Sequence, residues 1–252
     1  MMSDNPAAAF GAPGLLIVTG GGSGIGAAVV RQAASDGWMV LSLSRSGMRE
    51  PLTPEQQARV ESVQLDLVHD WRKSGLAFAQ SVLHRHTRGA RRIALVHNAA
   101  FSFNDTAQSP GFPDMSALID LSTVIPARMN ELLIPRMQRG SSILFVGSTL
   151  SHRGVAGSLS YVTAKHALLG LARATAKDLY GTGIHSLSIC PGPTETPMLR
   201  SLYGEERFGM FEPLMSEGRL ASPEEIARVV LFAAASPQMH GATIDAAFGE
   251  HL

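Results

Sequence analysis

The sequence predicts an α/β fold: a doubly wound, open parallel sheet with helices on both faces. Three observations carry this. Short apolar runs, suited to strands buried on both faces, alternate along the chain with helical stretches. The first run ends in a glycine cluster, Thr19-Gly20-Gly21-Gly22-Ser23-Gly24-Ile25-Gly26, that opens the first helix. The composition, 45% hydrophobic and 17% charged over 252 residues, suits a large buried core and excludes a disordered chain.

Leu15-Leu-Ile-Val18 is continuously apolar and reads as the first strand. The apolar positions from Gly24 to Ser35 suit a helix, ended by Gly37. Trp38–Leu43 is the next strand, and Val63–Leu65, Ile93–Val96, Ile143–Val146 and Leu187–Ile189 follow as further strands. Helical stretches lie near 71–87, 114–138, 159–180 and 223–235. The last begins with Ser222 as N-cap and Pro223 at the first helical position. A final strand runs Ala242–Asp245. No repeat or long linker divides the chain, so a single domain is expected over 14–252, preceded by a flexible Ala/Pro/Gly-containing lead-in at 1–13.

Bulk properties narrow the function classes. Net charge is zero, and no block of like charge exceeds Arg91-Arg92, so neither a nucleic-acid stripe nor an anionic-membrane anchor is expected. The single cysteine, Cys190, excludes an intrachain disulfide framework and a CxxC metal site, and no metal is expected. No basic leader and no apolar run of ~20 residues is present, so the expectation is a soluble, cytoplasmic protein.

A glycine-rich turn between a buried strand and a helix exposes free N–H groups where the helix dipole favours an anion such as a pyrophosphate. Glycines at 20, 24 and 26 would keep side chains out of its way, with Gly22, Ser23 and Ile25 completing the cradle. About twenty residues on, an acid would bond both ribose hydroxyls and select NAD. Ser44-Arg45 stands there instead: no carboxylate to repel a 2′-phosphate, and a guanidinium to bind it. NADP(H) is therefore the preferred cofactor, with NAD(H) as the alternative. Asp66, followed by Leu67, closes the third strand and either takes the adenine amine or caps the next turn.

Tyr161 and Lys165 stand four apart on one helix face, with Ser148 thirteen residues upstream of the tyrosine. Free tyrosine titrates near ~10, so it needs help to exchange protons at neutral pH. An ammonium on the same face would favour the phenolate.

Together these residues resemble the short-chain dehydrogenase/reductase family. The resemblance rests on T-G-x-x-x-G-I-G at 19–26, Asn98-Ala99, Ser148, Tyr161-x-x-x-Lys165 and Pro191-Gly192-x-x-x-Thr196, and covers nearly the whole chain from Leu15. It implies a seven-stranded Rossmann-type sheet and hydride transfer between nicotinamide and a carbonyl/alcohol pair. Tyr161 would be the acid/base and Ser148 would hold the substrate oxygen. Lys165 would bind the nicotinamide ribose and lower the tyrosine pKa, while Thr196 and Thr194 would grip the carboxamide. A homodimer or homotetramer is implied too. The same fold using NAD to oxidise an alcohol is one alternative, and a dinucleotide-binding sensor or scaffold with little turnover is another.

Two positions depart from the family pattern. His97-Asn98-Ala99-Ala100 replaces Asn-Asn-Ala-Gly, putting a methyl at 100. Ser122 stands where the family has an asparagine whose carbonyl holds a water in the proton relay to the lysine. His97, ending a strand, reads as a hydrogen-bonded structural group, and Cys190 as a small core residue. His152 lies close enough to Ser148 in sequence to touch substrate. The segment near 197–220 holds Met198, Leu199, Leu202, Tyr203, Phe208, Met210, Phe211, Leu214 and Met215 beside Gly204 and Gly209. It reads as an apolar lid or as simple packing; as a lid it implies a small apolar or aromatic carbonyl or alcohol substrate.

Overall fold

In the computed structural model, residues 14–74, 76–90, 92–204 and 209–250 are described. The N-terminal lead-in, Arg91 and Phe208 lie outside them. Seven parallel strands form one sheet in the order β3-β2-β1-β4-β5-β6-β7: β1 Leu15–Thr19, β2 Met39–Ser44, β3 Val60–Gln64, β4 Ile93–His97, β5 Ser142–Val146, β6 His185–Pro191 and β7 Thr243–Ala246. The chain winds outward from β1 to β3, crosses back to β4, and winds the other way. The β1/β4 junction is therefore the switch point, and a crevice opens at the carboxyl ends of those strands.

Each central strand splits its apolar residues between two layers, as the pleat requires. Leu16 and Val18 of β1, Ala94 and Val96 of β4, and Leu144 and Val146 of β5 pack on one face against α1 (Gly24–Ser35) and a late helix, Pro223–Ala234. Leu15, Ile17, Ile93, Leu95, Ile143 and Phe145 pack on the other face, where Met129, Leu133, Leu168 and Ala172 meet them. This explains why β1, β4 and β5 read as unbroken apolar runs. The edge strand β3 differs: it is mostly exposed, with Glu61 and Ser62 in its middle, and it starts three residues before the expected Val63.

The helices in order are α1, then α2 Pro54–Gln57, α3 His69–Ser74, α4 Leu76–Thr87, α5 Phe112–Ile119, α6 Ile125–Leu133, α7 Leu159–Asp178, α8 Pro197–Tyr203 and α9 Pro223–Ala234. The short α2 was not anticipated, although Thr53 and Gln56 form a capping box around it. At α9 the box is Ser222 with Glu225. Glu225 also pairs with Arg219, which holds its carboxyl down at about 2. The single helix expected over 114–138 is interrupted. Between α5 and α6, Asp120–Val124 form a π turn, and Ile125 N–H reaches Asp120 O. Pro126 follows directly and has no N–H to give the Ser122 carbonyl, the acceptor an α-helix would assign it.

No helix among the described residues is long and apolar enough to cross a membrane.

Candidate active site

A cavity of about 1130 Å³ opens at the carboxyl ends of the central strands. Its floor at the switch point is knitted by one hydroxyl. Thr19 Oγ1 accepts from Asn98 N (3.0 Å) and Ala99 N (3.1 Å) and donates to Val96 O (3.4 Å). Asn98 returns the contact, its Nδ2 donating to Thr19 O (3.1 Å) and Gly20 O (3.2 Å). Asn98 therefore fixes the glycine loop to β4 and still lines the cavity.

Gly20, Gly22, Ser23, Gly24 and Ile25 line the cavity, and Gly20 (φ 71°) and Gly24 (φ 53°) occupy the left-handed region that side chains disfavour. Ser23 is the N-cap of α1, but its side chain makes no capping bond, so the hydroxyl is free to face an anion. Gly26 does something else. It does not line the cavity, and a Cβ there would stand 2.1 Å from Gly20 O. Its role is to let α1 approach the loop's own backbone, not to clear space for a pyrophosphate.

At the far end, Ser44, Arg45, Ser46 and Arg49 line the cavity together. Ser44 Oγ donates to Gly47 O (3.3 Å), Arg49 N–H donates to Gly22 O (3.1 Å), and Arg45 is exposed. Asp66 lines the cavity beside Leu67 and caps α3, its Oδ1 accepting from Val68 N and His69 N at 3.0 and 2.9 Å. Only its second oxygen is left for a ligand.

Ser148, Tyr161 and Lys165 meet at the other end of the cavity. Ser148 N-caps a 3-10 turn, Thr149–Ser151, that follows β5, and its Oγ accepts from Leu150 N (3.2 Å). Its hydroxyl also faces the Tyr161 phenol and pulls the phenol's pKa down. Tyr161 and Lys165 stand one turn apart on α7. The start of α7 is anchored by Asp105, which accepts from Ser160 N (3.0 Å) and Ser160 Oγ (2.6 Å). The Lys165 Nζ donates to Val146 O at 2.8 Å and sits 5.5 Å from the Tyr161 ring centroid.

The electrostatics correct one expectation. In the protein alone the phenol is not lowered: burial pushes it up to about 12, and the Ser148 hydroxyl opposes this only in part. Burial likewise brings the lysine down to about 8. Burial dominates at both groups, and the ammonium lies over the ring face and spends a hydrogen bond on a backbone carbonyl. As built by the protein alone, Tyr161 is a protonated donor throughout the neutral range.

The remaining candidates separate into those facing the cavity and those turned away. Pro191, Gly192, Thr194 and Thr196 line it. Thr194 Oγ1 donates to Gly192 O (2.9 Å), and Thr196 N-caps α8 by accepting from Leu199 N (3.3 Å). Met198, Leu199, Leu202, Tyr203, Phe211 and Leu214 form an apolar wall; Met210 points to solvent and Met215 is buried elsewhere. His152 is not part of the lining. The tight turn after Ser148 rotates its ring toward β7, where Nε2 meets Asp245 Oδ1 at 3.2 Å, so the expected substrate contact does not form. His97 bonds Asn130 Oδ1 through Nε2 (2.9 Å), and burial takes it down to about 4, so it is neutral. Cys190 is buried and its thiol is pushed up. Ser122 is buried in the π turn, off the cavity, and its Oγ has no partner among the described residues.

Arg153 and Glu250 line the cavity and were not anticipated. Neither belongs to a recognisable pattern: they meet across 97 positions of sequence.

A seven-stranded sheet in this order, with a glycine loop at its switch point and a Ser-Tyr-Lys group in the crevice, defines a Rossmann-type oxidoreductase. A family model of the short-chain dehydrogenase type, described as enoyl-(acyl carrier protein) reductase, matches residues 20–250. The chain belongs to the short-chain dehydrogenase/reductase family. It is 28% identical over 228 residues to a 3-oxoacyl-(acyl-carrier-protein) reductase of Thermotoga maritima, covering 86% of this chain and 89% of that one. It is 32% identical over 248 residues to a cyclic-di-GMP-binding biofilm dispersal mediator protein of Escherichia coli, covering 93% and 96%. The ligand-free structure of an aldohexose dehydrogenase of Thermoplasma acidophilum superposes with TM-score 0.81 at 21% identity over 94% of this chain and 93% of that one.

Proposed function

We propose that this protein is an NADP(H)-dependent oxidoreductase that moves hydride between nicotinamide and a carbonyl or secondary alcohol, with Tyr161 as the general acid/base. The observation that carries this is the meeting of Ser148, Tyr161 and Lys165 in the same cavity as the glycine loop. The lining fits a dinucleotide. Glycines in left-handed conformations and a helix N-terminus with a free Ser23 hydroxyl suit a pyrophosphate, and Arg45 with Arg49 suits a 2′-phosphate. Bound there, the cofactor would supply or accept the hydride.

The protein's part is to manage charge on the substrate oxygen. Hydride arriving at a carbonyl carbon leaves negative charge on oxygen, which needs a hydrogen-bond donor and a proton. Ser148 supplies the first and Tyr161 the second. A phenol held near 12 keeps its proton until a more basic oxygen appears, which suits the reduction direction. Lys165, charged below about 8, stabilises the phenolate left behind. Reprotonation behind Lys165 through Ser122 belongs to this reading, although Ser122 itself does not line the cavity. The apolar wall of α8 and the 209–214 segment favours an apolar or aromatic substrate body. A homodimer or homotetramer is part of this reading.

The test is oxidation of NADPH and NADH, side by side, over a panel of ketones and aldehydes. NADPH should support the faster turnover, and Tyr161→Phe should lower kcat ~10²–10⁴-fold while leaving dinucleotide affinity within about twofold. Unchanged turnover in Tyr161→Phe would sink the assignment. The second reading, ligand binding with little turnover, is favoured by the 32% identity to a cyclic-di-GMP-binding protein. Dinucleotide binding with no turnover across the panel would support it.

A further inference from the structure

The Ser-Tyr-Lys group explains how a carbonyl oxygen is handled, but it does not use a charged pair built into the same cavity. Glu250 is buried, with 5% of its side chain exposed, at the substrate end. One carboxylate oxygen accepts from Thr149 Oγ1 (2.8 Å), the residue next to Ser148; the other accepts from Arg153 Nη2. The segment that delivers it is firmly placed. Phe248 takes a left-handed φ of 47°, unusual for a non-glycine residue, and its carbonyl accepts from Ser216 N (2.8 Å). The Arg219 guanidinium stacks 4.9 Å from its ring.

Arg153 is in a different condition. Its side chain is one-third exposed, it lines the cavity, and its Nε is buried with no acceptor among the described residues. A guanidinium has five N–H donors, of which Glu250 engages those on one nitrogen. A buried donor with no acceptor is costly, so an oxygen brought alongside it is bound favourably. The pair as a whole is already charge-balanced. An incoming carboxylate would add a second negative charge beside Glu250, whereas a neutral oxygen would add none.

We propose that Arg153, oriented by Glu250, is a specificity-determining residue that donates to a second, uncharged oxygen of the substrate, so that the preferred substrates are keto esters, dicarbonyls or hydroxy ketones. This inference rests on the carbonyl-reductase reading of the cavity. The reacting oxygen belongs to Ser148 and Tyr161; the second oxygen belongs to Arg153, at the end of the same turn that Ser148 caps. The apolar wall then encloses the carbon skeleton between the two.

The test uses probes of similar size: ethyl 3-oxobutanoate and methyl 4-oxopentanoate as keto esters, 4-oxopentanoate as the charged analogue, and 2-hexanone as the ketone without a second oxygen. With NADPH, the better ester should exceed both 2-hexanone and the acid in kcat/KM by about tenfold or more, with most of the difference in KM, as expected for one charge-assisted hydrogen bond. Arg153→Met alone would strand a buried carboxylate, so the Arg153→Met/Glu250→Gln double variant is the cleaner comparison. In it the ester-to-ketone ratio should fall close to one. Glu250→Gln alone should raise the acid relative to the ester. A wild-type ratio near one, or a ratio that survives in the double variant, would overturn the proposal. Saturation-transfer NMR of the same probes on the NADPH-mixed protein separates the two levels of inference. Ester-selective binding lost in the double variant, without turnover, would uphold the Arg153 assignment and refute the reductase reading. Binding without preference, whether or not there is turnover, would refute the Arg153 assignment.

Discussion

The two ends of the cavity are built in different ways. The glycine-loop end is set mainly by backbone. The glycine loop lies within eight residues of sequence, its shape is set by left-handed glycines, and a single Thr19 hydroxyl ties it to β4. The end around Ser148 is built of side chains. Ser148, Tyr161, the apolar wall of α8 and the Arg153–Glu250 pair come from four separated segments, and Thr149 meets Glu250 across 101 positions. Backbone cradles recognise what all dinucleotides share, while side chains gathered from afar recognise what differs between substrates. Conserving the first and varying the second is how one fold serves many reactions.

That contrast can be broken at either end. The largest effect is expected at the backbone end. In Gly26→Ala the new methyl would stand 2.1 Å from a carbonyl oxygen that has no room to yield, so stability should fall by about 3 kcal/mol or more, read as a lowered denaturant midpoint, with dinucleotide binding lost in parallel. A stable Gly26→Ala protein would show that the loop is more plastic than its geometry implies. Next in size, Arg45→Ala should weaken NADPH ~10–100-fold and NADH by less than about twofold in a titration of both. Equal losses would remove the 2′-phosphate assignment.

Lys165 offers a sharper comparison through its pH dependence. The unfolded chain keeps the lysine proton up to about 10.5, while the native chain releases it near 8. Between those values the unfolded state binds more protons, so this group's contribution makes the unfolding free energy rise with pH. Tyr161 acts in the opposite sense only above about 10, and the raised Cys190 thiol also opposes it. Lys165→Met, compared with wild type in denaturant melts at pH 7.5 and 10, isolates the lysine: wild type should lose its relative disadvantage as pH rises. A pH-independent difference would show that the ammonium is better compensated than burial implies. The smallest effect is expected for Ser122→Ala, which removes a hydroxyl with no partner among the described residues; kcat should change less than about threefold, and a larger drop would assign the relay to the side chain.

What the sequence revealed follows the same division. Buried central strands, the helix caps at Ser222 and Pro223, and the glycine loop were legible because each is encoded within a few neighbouring residues. Edge strand β3 was truncated in the sequence reading because exposed Glu61 and Ser62 break an apolar pattern that an edge does not need. Gly26 was recognised but given the wrong reason, since a motif does not say which atom a missing Cβ would strike. His152 was near Ser148 in sequence, yet a 3-10 turn directs it to Asp245. Arg153 and Glu250 were invisible because only the folded chain brings them together. The burial of the tyrosine was hidden for a related reason: a four-residue spacing reports a shared helix face but not how much water the face has lost.

The missing amide hydrogen at Pro126 bears on how freely position 122 can vary. In most helices a residue's main-chain oxygen is committed to the turn above, and any acceptor offered to solvent must come from a side chain. Here the commitment is cancelled from four positions away, by an imino acid that does not line the cavity. The α-helical bond to the oxygen at 122 is thereby withheld whatever the residue type at 122. A search confined to the groups lining the cavity would overlook both residues, since neither Ser122 nor Pro126 is among them.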